Sequence, residues 1–397
     1  MKLQERWMEA IQQMEVLDTH THLVGERLAA RNFWEIAHYF WFKQELQSGG
    51  YPLNAEELPE EERIAAFLSA YHKTRNTNMN WVFTHIFKHL YDLDITDASS
   101  IRRADKAVRE SGAKAGWAQA VADRLNIKRF VTNIPEHAAF QGMREDAIVI
   151  PRIDGKIHEW SKIVHQSAEP AQAFGEIKQS IEGLLTSYKA KGYPGIMTTL
   201  PRYEASANET YRLEDGLSFD QMMMLILDFV CGTAEREGLL VQLFLGVERS
   251  WCGTAVPAND PARILKLTAL FERYSKCTFE LVVASELNNM DVVQAAWNFS
   301  NVHVGGMWWF NFRSSTYRQS MQYRLEAISP IKSSLVVSDA RCIEWSFGKI
   351  LLIKRLAAEF LAEQTARGWL DEKTALLTAR EWLYSSAAAR YGLRQDS

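Results

Sequence analysis

The sequence has neither a concentration of positive charge nor a long apolar run, and both absences exclude classes of protein. Its 397 residues include 45 Lys or Arg against 49 Asp or Glu, and the net charge is -4. Without a basic block, we expect no binding of nucleic acid. The longest apolar runs, such as residues 238–247, are much shorter than the roughly 18 to 20 residues that a membrane span needs.

Cysteine is scarce, which bears on the compartment and on the kind of metal site. The four cysteines are scattered and form no CxxC pair. This pattern is typical of reduced thiols rather than of a disulfide framework or a cysteine metal site. The first residues lack the apolar segment of a signal peptide, so we predict a cytoplasmic protein. Dinucleotide-binding GxGxxG and nucleophile GxSxG patterns are also missing.

What the sequence does contain is a repeated alternation of short β-rich runs and longer helical patterns. Eight such runs occur, at 15–20, 128–133, 147–152, 195–200, 239–246, 278–285, 301–306 and 334–340. Strands that alternate with helices of this length are typical of a parallel sheet. Eight units favour a closed barrel over an open sheet, so we predict an α/β fold, a distorted TIM (β/α)8 barrel.

The interval between the first two runs is too long for a single crossover. It contains several helical patterns, and we interpret it as an α-helical insertion after strand 1. The predicted division is therefore a metal-dependent barrel formed by 1–25 and 126–397, with a helical subdomain at 26–125.

The most specific local signal is the segment D-T-H-T-H-L at 18–23. Side chains two residues apart on a strand point to the same face, so His20 and His22 share one face. At the end of an early barrel strand this face opens on the mouth, where two imidazoles provide half of a divalent metal site. The alternative is a pair of structural or surface histidines.

A second signal ends the eighth run, where Asp339 stands in V-V-S-D-A-R-C. Strands 1 and 8 are neighbours in a closed barrel, so the carboxylate of Asp339 is expected to face His20 and His22. It could complete a metal site and carry a proton. The alternative role for Asp339 is to cap the helix that follows.

These residues occur together with four further segments, and the combination resembles a known family. The segments are H-Y-F-W at 38–41, W-V-F-T-H at 81–85, G-G-M-W-W-F-N at 305–311 and S-D-A-R at 338–341. Together with the HxH pair they make the chain similar to the uronate isomerase (glucuronate isomerase) family of the amidohydrolase superfamily, as a divergent member. The WWFN and DxR segments are the most specific part of this resemblance.

The resemblance implies one divalent metal ion, Zn first and Mn as the alternative, held by His20, His22 and Asp339. It implies that Asp339 moves a proton as the sugar ring opens and that Tyr39 shuttles the C2 proton. Arg341 is implied to stabilise the developing oxyanion. The Tyr39 hydroxyl has a pKa of roughly 10 in water, so nearby positive charge would have to lower this value.

The resemblance also implies a set of substrate-binding residues. These are His38, Arg249, Arg152, Trp308 and Trp309. The arginines would bind carboxylate or hydroxyl groups, and the tryptophans would form a wall of the sugar pocket. Other roles remain open, since His38 and Tyr39 could form an amphipathic helix face and the tryptophans could pack in the core.

Two positions depart from the family pattern. Phe244 stands in strand 5 where the family has a histidine, and Thr199 and Leu200 stand where strand 4 of the family leads to an acidic residue. The three metal ligands are unaffected by these changes. We expect these changes to bear on the identity of the substrate, because the missing groups would contact the sugar.

We therefore predict an enzyme, a metal-dependent aldose–ketose isomerase that converts glucuronate or galacturonate to the corresponding ketouronate. The alternative is a metal-dependent hydrolase or lyase of the amidohydrolase superfamily that acts on a different sugar acid. A third hypothesis is a barrel that binds a sugar acid without turnover. The expected partner is a small sugar acid, and we expect a homo-oligomer because such barrels often self-associate.

Overall fold

The computed structural model describes residues 3–199, 205–245, 247–249, 255–257, 260–308 and 312–393. It divides into two compact units. The first consists of residues 1–132, 136–147 and 338–379, and the second of 133–135, 148–337 and 380–397.

The first unit is mainly helical around a pair of parallel strands. Its elements are α1 (Leu3–Gln12), β1 (Val16–Thr21), α2 (Phe33–Ala37), α3 (Phe40–Ser48), α4 (Glu60–Lys73), α5 (Asn78–Tyr91), α6 (Ala98–Gly112), α7 (Trp117–Asp123), β2 (Ile127–Thr132), α14 (Ile343–Ala366) and most of α15 (Glu372–Arg380). β1 pairs with β2 in parallel, and every residue of β1 is buried. The predicted insertion, 26–125, lies entirely within this unit, and its separation as a subdomain stays a prediction.

The second unit alternates strands and helices. Its elements are β3 (Ile148–Val149), α8 (Asp154–Gln166), α9 (Pro170–Ala190), β4 (Gly195–Thr198), α10 (Phe219–Glu237), β5 (Leu240–Leu245), β6 (Val247–Arg249), β7 (Ala255–Pro257), α11 (Thr268–Arg273), β8 (Phe279–Val283), α12 (Asn289–Asn298), β9 (Val302–Val304), α13 (Ser314–Ala327) and α16 (Ser386–Arg390). The strands β4, β5, β8 and β9 form a parallel sheet in that order. Buried parallel strands read as near-continuous apolar runs, as the sequence does here.

Local sequence explains where the helices of this unit begin and end. α10 starts at a capping box in which Ser218 accepts from the amide of Gln221 and the Gln221 side chain accepts from the amide of Ser218. It ends at Gly238, whose φ of 64° is readily adopted by glycine. The apolar faces of these helices pack on the sheet around residues such as Val241 and Leu281, which are fully or almost fully buried.

An aromatic cluster fills the core of the first unit. Phe33 contacts Phe67, Phe83 and Phe87, with ring centroids 5.3 to 5.8 Å apart. Such edge-to-face and tilted pairs add to the apolar area that these helices bury. Many of the aromatic residues in 26–125 therefore have a packing role.

The fold prediction is confirmed at the level of a mixed α/β fold with parallel sheets. Strands lie in the first seven predicted runs, but the described strands form separate sheets that do not close into a barrel. The eighth run contains no assigned strand, although backbone hydrogen bonds join both of its ends to neighbouring strands. Within the second unit the Ser334 amide donates to Val304, and within the first the Asp339 amide donates to His20.

None of the described helices combines the length and the apolar composition that crossing a bilayer requires.

Candidate metal centre

The three predicted metal ligands lie together in the first unit. His20 is the next-to-last residue of β1, and His22 directly follows the strand. Since one residue separates them, their side chains leave the backbone on the same side. Asp339 lies beside them because its amide donates to the carbonyl of His20, while the His22 amide donates to Ala340. This juxtaposition confirms that the end of the eighth run lies against β1.

The ligand atoms of the three residues converge. One carboxylate oxygen of Asp339, Oδ1, is 3.2 Å from Nε2 of His22 and 3.5 Å from Nε2 of His20. All three ligand atoms lie within 4.8 Å of one another. Ligands about 2.1 Å from a tetrahedral zinc ion would lie about 3.4 Å apart, so the observed spacing fits one ion.

The electrostatics of Asp339 favour its charged form. Burial opposes ionisation, but hydrogen bonds from His20 and His22 and the charge of Lys349 together hold the pKa of Asp339 well below its usual range. The carboxylate is thus available as an anionic oxygen ligand. The set of two imidazoles and one carboxylate suits Zn or Mn and leaves coordination positions open.

The second carboxylate oxygen of Asp339 has its own partner. The indole Nε1 of Trp41 donates to Oδ2 at 3.2 Å, while Oδ1 is the oxygen that lies near Nε2 of both histidines. Asp339 would then offer Oδ1 to a bound ion. Trp41 belongs to the H-Y-F-W segment, and it is a site residue to which sequence reasoning assigned no role.

Tyr39 lies next to this cluster. It is 5% exposed, and its hydroxyl donates to the backbone carbonyl of Asp339 at 2.9 Å. Burial and the charge of Asp339 raise its pKa well above the ordinary range, although the charge of Arg341 lowers it. The lowered pKa that a role as base would require is therefore not found in the protein alone.

Lys349 was missed at the sequence level. It lies in α14, is 2% exposed, and donates to the Tyr39 hydroxyl at 2.7 Å and to the Ser338 carbonyl at 2.6 Å. A lysine within the apolar stretch of α14 is a weak signal, because its partners come from other elements. Burial lowers its pKa to about 8, while the charges of Asp339 and Asp18 raise it.

Asp18 was also missed, although it lies two residues before His20 on the same strand face. It is fully buried, and burial raises its pKa to about 6. Its carboxylate accepts from the Ser338 amide at 2.9 Å and from the Ser346 hydroxyl at 2.8 Å. Asp18 therefore fixes the residue that precedes the metal ligand Asp339.

The other predicted residues of the first unit are His38 and Arg341. His38 contacts the Tyr51 hydroxyl at 2.9 Å and Glu56 at 3.5 Å, and burial lowers its pKa to about 4. Arg341 is exposed. These contacts do not test the predicted substrate role of His38 or the oxyanion role of Arg341.

The remaining predicted residues belong to the second unit or lie outside the described residues. Arg152 forms a two-pronged ion pair with Asp154, at 2.5 and 2.9 Å, and donates to Thr199 at 2.6 Å. Trp308 is 5% exposed and packs edge-on against the buried ring of Phe244, with centroids 4.9 Å apart. Trp309, Leu200 and the side chain of Arg249 lie outside the described residues.

Among the comparisons with known proteins, the one with solved structures bears on the fold. No protein-family model matches the chain, and no curated protein matches it in sequence. Solved structures do match. A uronate isomerase from Thermotoga maritima has a TM-score of 0.82 and 12% identity, with 98% of this chain and 97% of that chain covered.

Two further structures are similar over almost their whole length. A uronate isomerase from Bacillus halodurans C-125 has a TM-score of 0.78 and 16% identity, covering 99% of this chain and 96% of that one. A glucuronate isomerase from Caulobacter crescentus has a TM-score of 0.79 and 16% identity, covering 100% and 95%. The resemblance to uronate isomerases is thus confirmed at the level of the fold, as that of a divergent chain.

Proposed function

We propose that the chain is a metal-dependent isomerase that interconverts a hexuronate and its ketouronate. The observation that carries the proposal is the convergence of His20, His22 and Asp339 within 4.8 Å, in a chain that shares its fold with uronate isomerases. The ion would be one zinc, with manganese as the alternative. The same fold likeness supports our proposal of a (β/α)8 barrel.

The chemistry assigned to these residues follows from what the reaction needs. Conversion of an aldose to a ketose requires ring opening and transfer of a proton between neighbouring carbons. A bound divalent ion supplies Lewis acidity toward oxygen groups of the substrate. Asp339 would take the proton of the anomeric hydroxyl and return it to the ring oxygen at C5 as the bond between that oxygen and C1 breaks, since its carboxylate is ionised and fixed by Trp41.

We assign Arg341 to the oxyanion that develops as the C2 proton moves. Its side chain is exposed, so its guanidinium can reach substrate oxygens and supply positive charge to them. The role of proton carrier between C1 and C2 that the family pattern implies for Tyr39 stays a prediction. His38, Trp308, Trp309 and Arg249 likewise stay predicted substrate residues.

We propose that Arg152 binds carboxylate groups. One such group, from Asp154 of the chain itself, is paired with its guanidinium in the structure. Asp154 occupies its guanidinium, and the Thr199 hydroxyl contacts both residues, donating to Asp154 at 3.2 Å. Thr199 stands where the family has an acidic residue. We therefore propose that Asp154 provides the carboxylate that the sequence lacks after strand 4.

A hydrolase or lyase remains the second candidate because of Phe244. This residue is fully buried and packs on Trp308, so it adds an apolar ring where the family pattern has a histidine. Loss of that histidine removes a group that would serve an isomerase. In this alternative, Asp339 would act as the general base for a metal-activated water.

The experiment is proton NMR of D-glucuronate and D-galacturonate in D2O with the protein after removal of metal and reloading with Zn or Mn. We expect ketose signals in the sample reloaded with Zn or Mn and none in the sample from which the metal has been removed. Unchanged sugars with a fully loaded protein would refute the isomerase. Cleavage products in the same spectra would support the hydrolase or lyase instead.

A further inference from the structure

Asp339 has a backbone conformation that must be maintained by its surroundings. Its φ is 52°, in the left-handed region, where Asp is tolerated but not favoured. The direction of its carboxylate toward His20 and His22 follows from this conformation. If the backbone relaxed to a common conformation, the ligand oxygen would leave the two histidines.

Two carbonyl groups at this bend accept hydrogen bonds from buried side chains. Tyr39 donates to the carbonyl of Asp339, and Lys349 donates to the carbonyl of Ser338 and to the Tyr39 hydroxyl. The Lys349 ammonium also lies 4.8 Å from the centroid of the Tyr39 ring. The Lys349 ammonium therefore donates both to the backbone at this bend and to the Tyr39 hydroxyl, which itself donates to the Asp339 carbonyl.

The position of Tyr39 is set by more than this bond. Its ring packs at 4.4 Å on that of Trp345, and the indole of Trp345 donates to the carbonyl of Ile36. The hydroxyl proton is directed at the Asp339 carbonyl, while the hydroxyl oxygen accepts from Lys349. In this arrangement Tyr39 acts on the backbone of the metal ligand.

We infer that Lys349 is a positioning residue of the metal centre, which acts through Tyr39 and through the carbonyl of Ser338. Together, Lys349 and Tyr39 hold Asp339 in the conformation that presents its carboxylate to the two histidines. Outer partners of metal ligands typically contribute about 10- to 100-fold to affinity or activity. The inference rests on the proposed metal centre and is independent of which sugar acid is the substrate.

The test compares Lys349→Met with Lys354→Met by titration of the metal-free full chain with Co2+, followed by absorption spectroscopy. Lys354 is a matched control, because it is a buried lysine of the same helix that also donates to backbone carbonyls. Its acceptors are the carbonyls of Gln12, Met14 and Leu125. Both variants lose a buried ammonium, and only one of these ammonium groups contacts the bend at Asp339.

We expect Lys349→Met to weaken Co2+ binding about tenfold or more and to change the absorption bands of bound Co2+. Lys354→Met should lower thermal stability but bind Co2+ with the affinity and spectrum of the wild type. Tyr39→Phe removes only the hydroxyl and keeps the ring on Trp345, so it tests the same path if Lys349→Met does not fold. It should show the same spectral change with a smaller loss of affinity.

Wild-type affinity and spectrum in Lys349→Met or Tyr39→Phe would overturn the inference, as would equal losses in Lys354→Met. A wild-type chain that takes up no Co2+ would remove the metal centre and the inference with it. A wild-type chain that binds Co2+ but does not convert hexuronates would contradict only the proposed reaction. The two failures are therefore distinguishable.

Discussion

At the scale of single residues, Asp339 combines a left-handed backbone with a buried carboxylate directed at two histidines. Asp and Asn both adopt such a backbone more readily than other residues apart from glycine. An Asp339→Asn variant should therefore keep the local fold while losing the anionic ligand. This makes it a cleaner test of the metal centre than replacement by alanine.

We predict that Asp339→Asn binds Zn at least about 100-fold more weakly than the wild type and has no measurable isomerase activity. Metal content by mass spectrometry after dialysis, and NMR of the sugar acid, provide the measurement. Asp97→Asn is the control, because Asp97 is the N-cap of α6 and Asn caps a helix equally well. Full metal content in Asp339→Asn would contradict the assignment of this ligand.

The sequence left open whether Phe244 lines the site or packs in the core. It is fully buried and contacts Trp308, so it packs in the interior of the second unit. Phe244→His would place a polar ring there and should lower the free energy of unfolding by about 1 to 3 kcal/mol. Urea denaturation measures the change, and an unchanged midpoint would show that the position is open to polar groups.

At the scale of elements, the crossing of α14 and α5 depends on a glycine. A Cβ atom on Gly348 would lie 2.7 Å from side-chain carbons of both Val82 and Ile86. The close approach of the two helices thus requires a residue without a side chain at position 348. Packing therefore requires glycine here, although glycine has a low helix propensity.

Gly348→Ala should consequently destabilise the protein by about 1 to 2 kcal/mol, despite the gain in helix propensity. Gly183→Ala, in α9, is the control, because no atom lies within 4 Å of a Cβ added there. It should stabilise by about 0.5 to 1 kcal/mol. Thermal unfolding of both variants checks the opposite signs, and a stabilised Gly348→Ala would show that α5 can move away.

The elements also show what patterns in the sequence predict well. Hydrophobic runs located β4, β5, β8 and β9 to within about two residues, since buried parallel strands are near-continuous apolar segments. β1 and β2 were located equally well, although polar residues interrupt both strands. The eighth run was expected to be a strand, but the left-handed residue at its end and its irregular bonding leave it unassigned. Such a bend depends on tertiary hydrogen bonds that no local pattern contains.

The predicted and the missed site residues differ in whether a local sequence pattern marks them. His20, His22 and Asp339 carry a recognisable spacing at strand ends, and the structure places them together. Lys349 could not be predicted, because its partners are a tyrosine 310 positions away and a backbone carbonyl. A buried lysine acquires its role only when the fold supplies those acceptors.

At the scale of the whole molecule, we expect the half-buried His303 to contribute to the response to acid. Burial, helped by the charge of Arg390, lowers the pKa of His303 from 6.5 to about 3. Between those pH values the unfolded chain binds a proton that the folded chain does not bind. The free energy of unfolding therefore falls as the pH falls through this window, and the contribution of His303 is complete above it.

His303→Gln removes this titration, so its stability should decline less than that of the wild type between pH 7 and pH 4.5. Urea midpoints at the two pH values give the comparison. His72→Gln, at an exposed position of α4, should decline as the wild type does. Equal declines in His303→Gln and the wild type would exclude His303 as a source of acid sensitivity.

We propose that His20, His22 and Asp339 together bind one catalytic divalent ion. The most direct measurement is anomalous X-ray diffraction from crystals of the chain grown with Zn or Mn. One anomalous peak bound by both Nε2 atoms and by Oδ1 of Asp339 is the predicted result. Density for an ion elsewhere, with these three ligand atoms bound only to one another, would contradict the account.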